Sequence, residues 1–232
     1  MTVHLITTCT AGKTTPAGET MFPYQLQEVD AALSAWRNLL RDARPTLPAA
    51  QLYCGLHWSR TLEVATRHSG LELWIVSAGL GLRHATDPAV PYEATFRMMP
   101  FPGHEVWKGL TENPPLKGRC TSLSQLMGRF PADQFVVAAS PHYLKAILRD
   151  LMQGKDNLDD ASAQLTVVSS GGCPAPLLPY LTRSHAGMLA ELNTNMTGLN
   201  ISLASRVISR LMSCGDELTI PGKAASLTSP RS

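Results

Sequence analysis

No apolar run in this 232-residue chain approaches the ~18 residues of a membrane-spanning helix. Nor does the N-terminus show the basic-then-apolar pattern of a secretory signal, so neither a span nor secretion is expected, and a cytoplasmic location follows. Cysteine is sparse: Cys9, Cys54, Cys120, Cys173 and Cys214 are odd in number, widely spaced and never arranged C-x-x-C. That excludes both a disulfide framework and a zinc site, leaving reduced thiols, no metal and no cofactor as the expectation. Strong charge is missing too. A formal net charge of +2 does not by itself call for a nucleic-acid partner. It is unevenly spread, however, because residues 97–149 hold Arg97, Lys108, Lys117, Arg119, Arg129, Lys145 and Arg149 against Glu105, Glu112 and Asp133. This segment makes a weak basic face or an ordinary solvated one.

What is present is a soluble core, with 44% hydrophobic residues. Near-continuous apolar runs at 3–8, 71–77, 134–139 and 164–169 read as strands buried on both faces, and hence as a mostly parallel central sheet. Helical stretches are expected at 25–43, 56–68, 121–130, 141–152, 175–190 and 198–213. In the last, Ile201, Ala204, Ile208 and Leu211 form one stripe. The alternation predicts a single α/β domain over 1–220, a three-layer sandwich with right-handed crossovers. Residues 97–120, with four prolines and three glycines, read as an extended insertion, and residues 221–232 as a disordered tail.

The stretch after the first strand, "TTCTAGKT", nearly spells the phosphate-cradling pattern G-x-x-x-x-G-K-[ST], with Gly12, Lys13 and Thr14 in place but Thr7 where the first glycine belongs. The other strand-like runs end in serine, leaving no aspartate to hold magnesium. A polar strand-to-helix turn is the alternative. Parallel sheets bind ligands beyond their carboxyl ends. Those ends carry Thr7, Thr8, Cys9 and Thr10; Ser77, Ala78 and Gly79; Ser140; and Ser169. Small polar residues there suit a flat polar ligand, or simply turns.

The motifs "PAAQLYCG" and "VSAGLGLRHATDPAVPYEATF" add a second line of argument. With Cys9, Pro48, Ala49, Leu52, Tyr53, Gly55, Ser77, Ala78, Gly81, Leu82, Asp87, Pro91 and Tyr92 in matching positions, the first hundred residues resemble an uncharacterised bacterial and phage family. A similar pattern occurs in YaaA-type peroxide-stress DNA-binding proteins and, more faintly, in uracil-DNA-glycosylase-like domains of archaeosine-forming tRNA enzymes. Two positions depart from it, Leu80 replacing an aromatic residue and Glu93 standing where another residue is usual.

The resemblance implies a uracil-DNA-glycosylase-like fold and a DNA N-glycosylase, akin to anti-phage enzymes, that flips a modified base and excises it. Breaking an N-glycosidic bond builds positive charge on the sugar, so Asp87 is the expected carboxylate and Glu93 the second choice. Thr8, Cys9, Thr10, Ser77, Gly79, Tyr53, His57 and Tyr92 are the expected base-binding residues, with Tyr92 stacking on the base. Lys13, Trp107, Lys108, Lys117 and Arg119 are expected to hold DNA. For Asp87 the competing reading is an Asx turn before Pro88, for Trp107 a place tucked over the domain edge, and for Tyr92 a place in the core. A DNA-binding protein without chemistry and an enzyme on free nucleosides or nucleotides are the alternatives.

Overall fold

The computed structural model of the chain describes residues 1–216. The tail expected to be disordered therefore lies outside the described residues. Along the chain run β1 (Val3–Thr8), α1 (Val29–Asp42), β2 (Leu47–Pro48), α2 (Ala49–Leu52), α3 (Leu56–Arg67), β3 (Leu71–Ser77), β4 (Gly81–His84) and β5 (Pro88–Ala89). Then come α4 (Gly103–Glu112), α5 (Leu123–Arg129), β6 (Gln134–Ala138), α6 (Pro141–Lys155), α7 (Ala161–Gln164), β7 (Leu165–Ser169), β8 (Leu181–Arg183) and α8 (Leu199–Asp216). Six strands form one sheet in the order β4-β3-β1-β6-β7-β8, parallel throughout except that β4 runs against β3. In register, His4 sits between Glu72 and Phe135, and Ile6 between Trp74 and Val137.

Local chemistry sets these elements. In α1, Ala32, Leu33, Trp36 and Leu40 form the buried stripe, and the helix stops just before Arg44–Pro45, where the pre-proline residue disfavours helical backbone. Pro141 opens α6, where its fixed φ suits the first helical position and its missing N–H costs nothing. Apolar Val and Ile in β1, β3, β6 and β7 are covered on both sheet faces, as near-continuous apolar strands require.

Two expectations are corrected. Residues 97–120 are not an extended insertion: Pro100 and Pro102 precede α4 and Pro114 and Pro115 follow it, so the helix itself is free of proline and buries Val106, Trp107 and Leu110. The expected helix over 175–190 is instead two short 3-10 turns flanking β8, because Pro176 and Pro179 deny the segment its α-helical hydrogen bonds. Strand β4 was not foreseen. A turn through Gly81, at φ +74°, folds it back along β3.

Helices α3 and α8 pack on each other and on the sheet, while α4 and α5 pack on α6 and α1 on α4. From β1 the chain crosses in one direction to β3, and from β6 in the other to β7, so right-handed crossovers place α3 and α6 on opposite faces. The order reverses between β1 and β6. In an open parallel sheet, that switch point is where the loops part and leave a crevice.

Candidate functional site

A cleft of about 340 Å³ opens at the carboxyl ends of β1 and β6, at this switch point. Thr8, Thr10, His57, Ser140, Thr197 and Asn200 line it. Three helices begin at its walls: α3 after Gly55, which adopts φ +96°, α6 after Ser140, and α8 after Gly198. Neither α3 nor α6 has a side chain capping its first turn. The first N–H groups of a helix lack intrahelical partners and carry its partial positive charge, so the starts of these helices favour an anionic or hydrogen-bond-accepting ligand.

His57 forms one wall. The Thr7 hydroxyl donates to the Ala138 carbonyl at 3.2 Å, so its oxygen is left to accept from Nε2–H of His57 at 2.9 Å. Burial lowers the His57 pKa against the opposing pull of the Thr197 and Thr8 carbonyls, which keeps the ring neutral near pH 7. Opposite, Asn200 donates to the Ala139 carbonyl at 3.1 Å and accepts from the Ser184 hydroxyl at 2.6 Å. Its orientation is fixed from both sides.

Cys9 links the cleft to a chain of buried hydroxyls. Its sulfur lies 3.1 Å from the Tyr143 hydroxyl, in the first turn of α6. Beyond it, Tyr53 and Tyr92 meet hydroxyl to hydroxyl at 3.2 Å, and Tyr92 reaches Ser77 Oγ at 2.6 Å. Ser77 Oγ accepts the backbone N–H groups of Leu80 and Gly79, leaving its own proton for Tyr92. Burial raises the pKa of Tyr53, Tyr92 and Tyr143, so all three stay neutral phenols. Lys13 Nζ lies 4.5 Å from the Tyr92 ring centroid, a cation–π distance.

The "TTCTAGKT" loop is a wall, not a phosphate cradle. No helix follows it directly; it is zipped onto Leu52–Cys54 by bonds from Thr14 N to the Leu52 carbonyl and from Cys54 N to the Gly12 carbonyl. Thr10 reinforces that seam by donating to Gly12 and Cys54 carbonyls. A Cβ on Gly12 would stand 2.8 Å from the exposed Cys54 sulfur, so the two segments of the seam lie close here.

Of the expected base-binding residues, Thr8, Cys9, Thr10 and His57 line the cleft, and Tyr53, Ser77 and Tyr92 form the hydroxyl chain behind Cys9. Gly79 lies against the Tyr92 ring, where a Cβ would come within 2.6 Å. Tyr92 is wholly buried and packed against Gly79, so it does not stack on a ligand in this arrangement. Sequence reasoning missed Tyr143, Thr197 and Asn200. They lie far along the chain, and only the crossovers bring them here.

Asp87 stands elsewhere. The segment after β4 runs back toward the amino end of β3, with Ala85 N bonded to the Leu73 carbonyl, roughly 13 Å before Ser77 at the usual strand rise. Its carboxylate accepts from His84 N at 2.8 Å and from Arg119 N at 3.1 and 3.2 Å, in a turn closed ahead of Pro88. The fully buried Arg83 guanidinium is its electrostatic counterpart. Glu93 is different: its main chain is pinned to Thr20 and Phe22, and its half-buried carboxylate has no hydrogen-bond or ion-pair partner among the described residues.

The expected DNA-contact residues are dispersed. Trp107 is buried and donates its indole N–H to Asp150 at 2.9 Å, so it offers no stacking face. Lys108 is exposed on α4, 3.8 Å from Glu112. Lys117 and Arg119 lie beside Asp87 at the amino end of the sheet, where the Lys117 carbonyl accepts from Arg83 and Arg119 approaches Glu72 at 3.5 Å. Only Lys13 is at the cleft end.

Fold and site together define a mixed α/β protein with a polar cleft at the switch point of a mostly parallel sheet. No family model, curated protein or solved structure matches the chain.

Proposed function

We propose that the cleft takes up one nucleotide unit of DNA and that the protein hydrolyses its N-glycosidic bond, as a uracil-DNA-glycosylase-like enzyme acting on a modified base in anti-phage defence or repair. The observation that carries this reading is the convergence of the starts of α3, α6 and α8 with Thr8, Thr10 and the neutral His57 on one cleft at the switch point. The helix starts suit a phosphate and the fixed His57 and Asn200 groups suit a base edge. Lys13, whose ammonium donates to the Ala11 carbonyl of the cleft wall at 3.2 Å, adds positive charge.

A sugar cation needs a carboxylate. Asp87, saturated by backbone N–H groups at the amino end of β3, is a turn residue in this reading, and Glu93, without a side-chain partner among the described residues and next to Tyr92 behind the cleft, takes the catalytic role by turning toward the bound nucleotide. A specific observation favours the second reading, DNA binding without chemistry: among the described residues, no carboxylate lines the cleft itself.

One assay separates the two. The protein is incubated with DNA duplexes and single strands carrying different modified cytosines, and abasic sites are counted for wild type, Glu93→Gln and Asp87→Asn. The N-glycosylase reading expects base release by wild type, a loss on the order of a hundredfold in Glu93→Gln, as for other preorganised electrostatic groups, and little change per folded molecule in Asp87→Asn. Retained DNA binding with no base release from any substrate would leave the non-enzymatic reading standing.

A further inference from the structure

A second cavity of about 340 Å³ lies at the opposite, amino end of the sheet, between the starts of β1 and β3 and the end of α5. Trp74, Cys120 and Phe130 supply its apolar wall, with His4 between them. Phe130 remains 39% exposed although its ring lies 5.2 Å from the His4 ring, so it overhangs the opening without being packed away. His4 is fixed as a neutral wall: Trp74 donates to its Nδ1 at 3.1 Å, so Nε2 carries the proton and donates it to Asp133 at 3.2 Å. Phe135 stacks beneath at 4.8 Å.

Two guanidinium groups, Arg119 and Arg129, and two carboxylates, Glu72 and Asp133, line this cavity, so its charges balance in number but are unevenly paired. Asp133 is engaged by His4 and by Thr2 N, and Glu72 by His84 at 2.7 Å and by Arg119. Arg129, by contrast, donates only to the Arg119 carbonyl and toward the Cys120 sulfur, and no carboxylate pairs with it among the described residues. An aromatic wall beside a guanidinium with no carboxylate partner among the described residues matches a flat apolar body bearing one anionic group, because the fork of N–H donors fits a carboxylate or sulfonate while the rings cover the body.

We propose that this cavity is a binding site for a small aromatic acid, separate from the cleft at the carboxyl ends. Arg129 receives the anionic group, and Trp74 and Phe130 hold the ring. A volume of 340 Å³ is at the lower end of what small-molecule sites occupy, which limits the ligand to about three rings.

The test uses the full chain and two probes: 1-anilinonaphthalene-8-sulfonate, whose fluorescence rises on entering an apolar site, and benzoate as its competitor. Saturable one-to-one binding is expected, displaced by benzoate and not by benzyl alcohol. Arg129→Gln should weaken it about tenfold, as loss of a charged hydrogen-bond partner does, and Phe130→Ala should weaken it without lowering the melting temperature appreciably, since the ring is partly exposed. Glu93→Gln, at the other end of the sheet, should bind the probe like wild type. Equal affinity in wild type and Arg129→Gln, or equal displacement by benzyl alcohol, would overturn the assignment whatever the outcome of the base-release assay.

Discussion

At the scale of single residues, the same amino-acid type takes opposite roles according to what surrounds it. Asp87 and Glu93 are six positions apart, yet one carboxylate is consumed by a turn and the other has no side-chain partner among the described residues. Asp87→Asn should therefore cost stability, on the order of 3 kcal/mol, because it removes the negative charge facing the buried Arg83 and weakens the bonds to His84 N and Arg119 N. Urea denaturation monitored by tryptophan fluorescence checks this. A midpoint equal to wild type would mean that Arg83 does not depend on Asp87. The Asp-Pro dipeptide already carried this turn reading, whereas nothing local to Glu93 announces that its side chain lacks a partner.

At the scale of elements, one side chain ties three helices together. Asp150 on α6 accepts from Leu123 N at 2.8 Å and Ser124 N at 2.9 Å, serving the first turn of α5, and also takes the indole N–H of Trp107 on α4. Asp150→Ala leaves those donors unmet, and a loss of about 2 kcal/mol is expected. Hydrogen exchange should show it as faster exchange at Leu123 and Ser124 before the sheet amides change. Uniform acceleration across the chain would instead mean that α4, α5 and α6 unfold only with the whole. Helices with a strong apolar stripe, α1, α3, α6 and α8, were legible in sequence because periodicity is a local signal. α4 was obscured by prolines that flank it without entering it.

At the scale of the whole molecule, three half-buried or buried histidines sit at different places: His4 at the start of β1, His84 at the end of β4, and His57 in α3. Burial is the largest influence on each and lowers its pKa below the ordinary value near 6.5. The unfolded chain then binds protons before the folded one does as pH falls. Stability is thus fully present above about pH 7 and declines through and below about pH 6.5, the ordinary histidine value. Melting temperatures measured from pH 8 to pH 5 should fall on the acid side, and the fall should be smaller in His57→Gln. A flat profile across that range would mean that the carboxylates near His4 and His84 offset burial.

The sequence by itself determined the strands β1, β3, β6 and β7 and the mostly parallel sheet, because strands covered on both faces must be apolar along their whole length. It also placed Thr8, Cys9, Thr10 and Ser140 at strand ends, since those positions follow directly from where each apolar run stops. Only the tertiary structure decided which of these ends meet. Strand order and crossover hand bring residues near 10, 57, 140 and 200 to one cleft, and the antiparallel return of β4 carries Asp87 to the opposite end of the sheet. Those outcomes depend on pairing between strands distant in the chain, and no spacing within a single segment encodes them.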